Sequence, residues 1–190
     1  MVRFSLATTA FFLFVNNIQA WNPSNFPFLP ASTDTSNIRT MVVEAQGTDK
    51  KILDVGCGEG YSTSVAQGSL GVDSKPRNIH TARRLFPDKT FKLGILSSID
   101  PERNFDVVTS MFYFHKIPQF MRKRIISKAL KIADERVVIV DVCPDYKSGD
   151  EMHKHSQFLE DYYKNCRNDL LGFNETKLAD GMISVWVHDA

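Results

Sequence analysis

Three glycines at alternating positions, directly after a short apolar run, restrict the fold of this chain more than any other feature of its sequence. The stretch KILDVGCGEGYS occupies residues 51–62 and contains Gly56, Gly58 and Gly60. Glycine has no Cβ and accepts left-handed backbone angles, so such a loop lets backbone groups approach a ligand closely. An apolar strand followed by a glycine loop is typical of a unit that binds its ligand beyond the carboxyl end of the strand.

Short apolar runs alternate with amphipathic stretches along the rest of the chain. The predicted strands are 50–56, 69–73, 90–93, 105–112 and 136–142, and the predicted helices are 38–45, 61–67, 76–86, 118–135 and 149–168. Unbroken apolar strands between helices indicate a parallel sheet covered on both faces. The last two runs, 173–178 and 182–188, are joined by a three-residue loop, so we expect an antiparallel hairpin. The predicted fold class is therefore α/β.

The spacing of the glycines narrows the class of ligand. No Gly-Lys-Ser/Thr follows them, which excludes a Walker phosphate loop. The dinucleotide pattern G-x-G-x-x-G needs a third glycine at residue 61, which is Tyr61. Asp54, two residues before Gly56, favours a ligand with an ammonium group over a pyrophosphate. We predict a nucleoside that carries an amino-acid tail and no phosphates.

A second acid supports a nucleoside ligand. Asp73 ends the next predicted strand, 19 residues after Asp54. A carboxylate at that position can accept hydrogen bonds from both ribose hydroxyls, as it also does in NAD sites. The alternative is a structural role for Asp73, as a cap before Pro76.

Taken in order, these motifs resemble the class I S-adenosylmethionine-dependent methyltransferases of the small-molecule type. The resemblance covers nearly all of residues 36–190 and rests on ILDVGCGEG, LGVD, FDVVTSMFYFHKIP and RVVIVDV. It implies a Rossmann-like, mostly parallel seven-stranded sheet of order 3-2-1-4-5-7-6 with strand 7 antiparallel, and S-adenosyl-L-methionine as the cofactor. The cofactor-binding residues that it implies are Asp54, Gly56, Cys57 and Gly58 for the methionine portion, Gly60 in the same loop, and Asp73 for the ribose.

The sequence departs from this family after the third strand. The family often has an acid there that contacts the adenine amine, whereas this chain has Gly94 and Ile95. We therefore expect adenine contacts from backbone groups or from neighbours such as Leu96.

Few residues are required for the chemistry, because a sulfonium is already a strong electrophile and the protein mainly aligns the reacting atoms. Tyr113 and His115 follow the fourth strand on the crevice side and are the candidate catalytic residues, with His115 as a general base for a hydroxyl acceptor. The alternative for His115 is a solvent-facing or packing histidine. Asp141 faces the acceptor or caps the turn before Pro144. No metal site is predicted. The other polar residues of the helix at 118–135 are expected to form a solvated face: Arg122, Lys123, Lys128 and Lys131.

Three functions remain open from the sequence. The first is methyl transfer to an unidentified small-molecule acceptor. The second is a catalytically inactive protein of the same fold that binds the cofactor or regulates a partner. The third, an NAD(P)-binding oxidoreductase, is disfavoured by the glycine spacing.

The N-terminal residues predict a targeting segment. Residues 1–20 have one basic residue, Arg3, before an apolar run too short to span a membrane, as in a signal peptide. Residues 21–35 are a linker, or a transit segment like those of plastid proteins in algae, and residues 36–190 form the domain. The expected destination is that plastid, or alternatively the endomembrane lumen or the exterior. Without the leader, 22 basic residues balance 22 acidic ones, so bulk nucleic acid is not an expected partner.

Overall fold

The computed structural model of this protein describes residues 35–100, 104–146 and 156–190. Their strands form one seven-stranded sheet in the order β3-β2-β1-β4-β5-β7-β6. The pairs β1–β2, β2–β3, β1–β4 and β4–β5 are parallel, and β7 pairs antiparallel with both β5 and β6. The sheet order and the antiparallel seventh strand predicted above are confirmed.

Helices and strands alternate as the apolar pattern predicts. The strands are β1 Ile52–Val55, β2 Leu70–Asp73, β3 Phe91–Leu93, β4 Phe105–Met111, β5 Ala133–Val142, β6 Asn174–Leu178 and β7 Ile183–Asp189. The α-helices are α1 Thr35–Gln46, α2 Pro76–Leu85, α3 Gln119–Ile132 and α4 Leu159–Asp169. Short 3-10 turns follow β3 at Leu96–Ser98 and β4 at Phe114–Lys116.

The central strands are buried on both faces, because helices cover the sheet from both sides. Leu53 and Val108 face one side, where they join a core completed by α3 and α4. Their neighbours Ile52 and Val107 face the other side and pack with α1. Alternate residues of a strand point to opposite faces, so a strand covered on both must be apolar throughout.

The connection between β1 and β2 corrects the sequence prediction. A short helix was expected at 61–67, but these residues form turns and irregular backbone. The hydroxyls of Ser62 and Thr63 both donate to Asp54 Oδ2 at 2.8 Å, and Ser64 Oγ accepts from the Ala66 N–H. Serine and threonine hydroxyls that bond elsewhere in this way compete with the helical pattern.

Two helix boundaries also differ from the prediction. The helix predicted at 118–135 ends at Ile132, and β5 begins at Ala133, three residues earlier than expected. Ala133 pairs with Phe105, and an irregularity in the ladder between Phe105 and Val107 accommodates the additional residues. Of the helix predicted at 149–168, residues 159–168 lie in α4, and the part before 156 lies outside the described residues.

Arg122 is buried, whereas the sequence placed it on the solvated face of its helix. Its side chain is 0% exposed; Nε donates to Asp169 Oδ2 at 2.8 Å and Nη1 donates to Asp161 Oδ2 at 2.9 Å. Asp161 and Asp169 lie eight residues apart on α4, so they face the same side of that helix. The packing of α4 against this side of α3 is what removes Arg122 from solvent.

The predicted leader and most of the linker, residues 1–34, lie outside the described residues. Within the described part of the chain, none of the helices has the length and apolar character needed to cross a membrane.

Candidate functional site

The carboxyl ends of β1, β2 and β4 meet at one edge of the sheet. From β1 the chain builds β2 and β3 on one side, then returns to place β4 on the other. This reversal opens a crevice above the strand ends, which is where open α/β sheets bind ligands.

The glycine loop after β1 forms one wall of the crevice. The N–H groups of Gly56 and Cys57 both donate to the Val72 carbonyl, at 2.8 and 3.0 Å, which holds the loop against β2. Gly56 has φ +75°, and a Cβ there would lie 2.5 Å from Tyr113 Cγ. Gly58 has φ +56°, and a Cβ there would meet no protein atom within 4 Å. Gly56 is therefore needed for packing, while Gly58 faces open space.

Gly60 and Cys57 belong to the glycine loop and also pack against the rest of the fold. A Cβ on Gly60 would lie 2.7 Å from Phe91 Cζ, so this glycine permits close packing against β3. Cys57 is buried, and burial raises the pKa of its thiol above the ordinary value, with Asp54 and Asp73 adding to the effect. Cys57 is therefore a neutral thiol at physiological pH.

Asp73 joins the glycine loop to the start of α2. Its Oδ2 accepts from the Gly58 N–H at 3.0 Å, and its Oδ1 accepts from the Lys75 N–H at 2.8 Å. Each carboxylate oxygen can accept more than one hydrogen bond, so Asp73 retains capacity for a ligand. The turn before α2 uses Asp73 as the sequence suggested for a cap, yet the residue also lines the crevice.

Asp54 lies behind the crevice wall. It is 0% exposed; Oδ2 is bonded to Ser62 and Thr63, while Oδ1 has no partner among the described residues. Burial raises the pKa of Asp54, opposed by the two hydroxyls and by the Arg39 guanidinium. Asp54, which the sequence assigned to ligand contact, therefore stabilises the glycine loop through its hydrogen bonds with Ser62 and Thr63.

Arg39 is a site residue that the sequence did not indicate. It reaches from α1 to the crevice, where Nη1 donates to Ser62 Oγ and to the Met111 carbonyl, both at 3.2 Å. Its guanidinium lies 4.7 Å from the centre of the Phe112 ring. No motif surrounds Arg39, and only the packing of α1 against the sheet brings it to the loop.

The backbone is strained where β4 enters the crevice. Phe112 has φ +56°, which is uncommon for a bulky residue, and its N–H donates to the Val140 carbonyl at 2.7 Å. This conformation turns the chain so that Tyr113 packs against Gly56. Burial, and to a smaller extent Asp73, raises the pKa of the Tyr113 phenol, so it stays protonated at physiological pH. Strain of this kind concentrates at functional sites.

His115 and Asp141 form a buried pair beside the crevice. His115 Nδ1 lies 2.5 Å from Asp141 Oδ1, and the His115 N–H donates to Asp141 Oδ2 at 3.2 Å. The His115 carbonyl accepts a hydrogen bond from Ser156, which precedes α4. The Asp141 carboxylate therefore fixes the turn after β4 and orients the imidazole.

The crevice has two lobes that share Gly56, Asp73 and Tyr113. The first lobe, about 820 Å³, lies between β2, β3 and α3 and includes the stretch Gly94–Ser97. The second, about 650 Å³, lies between the glycine loop, Arg39 and the turn after β4. Both volumes are in the range of small-molecule sites.

Five of the eight predicted site residues line these lobes: Gly56, Cys57, Gly58, Asp73 and Tyr113. Asp54, Gly60 and His115 do not, and each stays a prediction for direct ligand contact. No group of three or more acidic, histidine or cysteine residues that could hold a metal occurs in the described ranges.

Comparison with known proteins gives a match over the central strands. Residues 52–136 match the model of a methyltransferase domain. Among curated proteins, the chain is 25% identical to putative methyltransferase 235L of Invertebrate iridescent virus 6, over 54% of this chain and 41% of the relative. It is 29% identical to trans-aconitate 2-methyltransferase of Escherichia coli O1:K1 / APEC, over 46% of this chain and 37% of the relative. The chain thus spans about two fifths of these relatives.

Solved structures share the whole fold at low sequence identity. Magnesium protoporphyrin IX methyltransferase from Synechocystis PCC 6803, with bound SAM, has a TM-score of 0.59 at 16% identity and covers 100% of this chain and 99% of its own. The plantazolicin methyltransferase BpumL, in complex with monoazolic desmethylPZN analog and SAH, has a TM-score of 0.58 at 15% identity and covers 96% of this chain and 94% of its own. The match to a methyltransferase domain and the 3-2-1-4-5-7-6 sheet show that this chain has the fold of the class I S-adenosylmethionine-dependent methyltransferases.

Proposed function

We propose that this protein binds S-adenosyl-L-methionine in the crevice and transfers its methyl group to a small-molecule acceptor. The main support for this proposal is the glycine loop, which is bonded to Asp73 through the Gly58 N–H. A Cβ at Gly58 would meet no protein atom within 4 Å and would enter the ligand space. The match to a methyltransferase domain and the SAM and SAH bound in solved structures of the same fold support it.

The residues of the crevice fit the three parts of this cofactor. Gly94, Ile95 and Leu96 offer backbone and apolar surface for an adenine ring, and Asp73 offers a carboxylate for the ribose hydroxyls. Arg39 and the Gly56–Gly58 loop would hold the charged methionine end, with the buried Asp54 behind them. The bound cofactor supplies an electrophilic methyl group, so the protein's task is alignment of the acceptor.

Tyr113 is our candidate for contact with the reacting groups. It lines both lobes, and its protonated phenol can donate a hydrogen bond. His115 remains the candidate base for an acceptor that must lose a proton, such as a hydroxyl, with Asp141 holding its Nδ1 side. A base role predicts that His115→Gln lowers kcat by at least about 100-fold and removes a limb of the pH profile.

The test of this function is methyl transfer itself. The full chain is incubated with methyl-labelled S-adenosylmethionine and a panel of small carboxylic acids, amines, thiols and alcohols, and S-adenosylhomocysteine is measured. Acceptor-dependent formation of S-adenosylhomocysteine supports the enzyme. Cofactor binding without turnover on any acceptor would instead support the alternative, an inactive binding or regulatory protein of the same fold.

We also propose that residues 1–20 direct the protein into the secretory route, with a plastid, the endomembrane lumen or the exterior as its destination. The basic residue and apolar run of this segment support the proposal. Sequencing the N-terminus of the mature protein tests it. Cleavage near residue 20 is expected, and an intact N-terminus would contradict it.

A further inference from the structure

Three cations from three elements line the second lobe of the crevice. They are Arg39 of α1, Lys75 at the start of α2, and Lys116 in the turn after β4. The acidic residues among the described lining are Glu59 and Asp73. The lining therefore carries one net positive charge.

The two lysines are available to a ligand. Arg39 already donates to Ser62 and to the Met111 carbonyl, whereas no described residue accepts a hydrogen bond from, or forms an ion pair with, the side chain of Lys75 or Lys116. Desolvation in the crevice lowers the pKa of Lys116; among the neighbouring charges Asp141 has the largest effect and raises it, Arg39 and Lys75 lower it, and Asp73 raises it least. An anion beside these cations would relieve their mutual repulsion.

The proposed cofactor increases this excess of positive charge. Its sulfonium and ammonium groups outweigh its one carboxylate, so it adds a second net positive charge to the lobe. Arg39 can pair with the cofactor's carboxylate, which leaves Lys75 and Lys116 facing the space for the acceptor. A negatively charged acceptor would balance the site, and a cationic one would be repelled.

The loop geometry favours a carboxylate over a phosphate. Phosphate sites usually present free backbone N–H groups at a glycine loop or a helix N-terminus. Here the N–H groups of Gly56 and Cys57 donate to Val72, that of Gly58 donates to Asp73, and that of Gly60 donates to the Cys57 carbonyl. Side-chain ammonium groups beside the aromatic walls Phe112 and Phe158 suit a small organic acid.

Resting on the proposed function, we propose that the methyl acceptor is a small carboxylic acid whose ionised carboxylate lies against Lys116 and Lys75 in this lobe. Such an acceptor is already ionised at neutral pH. One carboxylate oxygen would form the bond to the methyl carbon as the bond from that carbon to the sulfonium sulfur breaks, which gives a methyl ester and releases S-adenosylhomocysteine. No proton has to be removed, which agrees with the position of His115 off the lobe lining. In this account Lys116 determines specificity by capturing the acceptor.

The test measures acceptor binding separately from turnover. The full chain is first titrated with S-adenosylhomocysteine by calorimetry. The saturated protein is then titrated with benzoate and succinate, and with their neutral counterparts benzamide and succinamide, followed by NMR. We expect at least one acid to bind about tenfold more tightly than its amide, because a charge-assisted hydrogen bond is lost in the amide.

Variants at Lys116 test the assignment of the contact. Lys116→Gln should weaken binding of that acid about tenfold while leaving S-adenosylhomocysteine binding unchanged, and Lys116→Arg should restore it. Lys164→Gln, an exposed lysine of α4 outside both lobes, is the matched control and should change neither affinity.

Two kinds of failure are distinguishable. If S-adenosylhomocysteine binds but each acid binds no better than its amide, or Lys116→Gln has no effect, the carboxylate acceptor is overturned and the proposed function stands. Binding of inorganic phosphate in place of the acids would overturn it as well. If S-adenosylhomocysteine itself fails to bind, the proposed function is overturned together with this inference.

Discussion

At the scale of single residues, glycines within one loop have different roles. Gly56 and Gly60 allow close packing against Tyr113 and Phe91, while Gly58 faces the open crevice. The pattern G-x-G-x-G cannot separate these roles, because each glycine has the same sequence signature. The distinction depends on which atoms other segments bring to each Cβ position.

This difference predicts the effect of Gly58→Ala. The new Cβ meets no protein atom within 4 Å, so the fold should persist with a loss of about 1–2 kcal/mol from the left-handed backbone at φ +56°. The Cβ would enter the ligand space, and we expect S-adenosylhomocysteine to bind at least about tenfold more weakly. Calorimetric titration and thermal unfolding measure the two effects.

Gly172→Ala is the matched control for the backbone cost. Gly172 also has positive φ, at +93°, with no atom within 4 Å of its Cβ position, but it lies before β6 and away from the crevice. The Gly172→Ala variant should lose about as much stability as Gly58→Ala and should bind S-adenosylhomocysteine as tightly as the wild type does. Equal affinities for the two alanine variants would show that Gly58 does not face the ligand.

Asp54 predicts a dependence of stability on pH. Burial raises the pKa of this carboxyl in the folded protein, so the folded state holds the proton more tightly than the unfolded chain does. Its contribution is therefore fully present below the unfolded pKa of about 3.9 and is lost as pH rises through the higher folded value. In Asp54→Asn this titration is absent.

The free energy of unfolding in urea is measured for the wild type and for Asp54→Asn at a series of pH values from below about 3.9 upward. The difference, variant minus wild type, should increase as pH rises above the ordinary carboxyl range, at up to about 1.4 kcal/mol per pH unit. A constant offset from the loss of hydrogen-bond geometry does not affect this slope. A difference that is independent of pH would contradict the raised pKa.

At the scale of elements, the clearest contrast is between Arg122 and Lys123. The two residues are adjacent on α3, and the sequence predicted both on its solvated face. In the structure Arg122 is enclosed by Asp161 and Asp169 of α4, whereas the Lys123 side chain is 55% exposed. Helical periodicity shows which residues share a face. It does not show that a second helix, 40 residues later, covers part of the polar face.

Arg122→Met should be strongly destabilising. The change leaves Asp169, whose side chain is 0% exposed, without its principal cation, and breaking a buried ion pair in this way costs about 3–5 kcal/mol. Lys123→Met on the same helix should change stability by less than about 1 kcal/mol. Chemical denaturation measures both, and equal effects would contradict a structural role specific to Arg122.

The segment after Gly60 shows why the local sequence pattern did not predict the structure of residues 61–67 correctly. A helix was expected at 61–67, but Ser62 and Thr63 turn their hydroxyls toward Asp54. This conformation depends on the buried carboxylate of Asp54, which lies eight residues before Ser62 and nine before Thr63. Hydroxyl residues indicate that such competition can occur, but they do not name the partner.

At the scale of the whole molecule, the order and direction of the strands followed from the sequence. Continuous apolar runs, intervening helices and a three-residue terminal loop, together with the family resemblance, predicted the sheet, which the structure confirms. Five predicted residues reach the crevice because they follow strand ends that this topology brings together. Arg39 was missed because its place depends on the packing of α1 against strands far along the chain.

Binding of S-adenosylmethionine in the crevice is tested by calorimetric titration of the full chain with S-adenosylhomocysteine, with NADH as a second ligand. We predict saturable, micromolar binding of S-adenosylhomocysteine and no comparable binding of NADH. Asp73→Asn, which removes the charge that holds the Gly58 and Lys75 N–H groups, should weaken binding at least about tenfold. Folded protein that fails to bind S-adenosylhomocysteine, or binds it equally well without the Asp73 carboxylate, would contradict an S-adenosylmethionine site in this crevice.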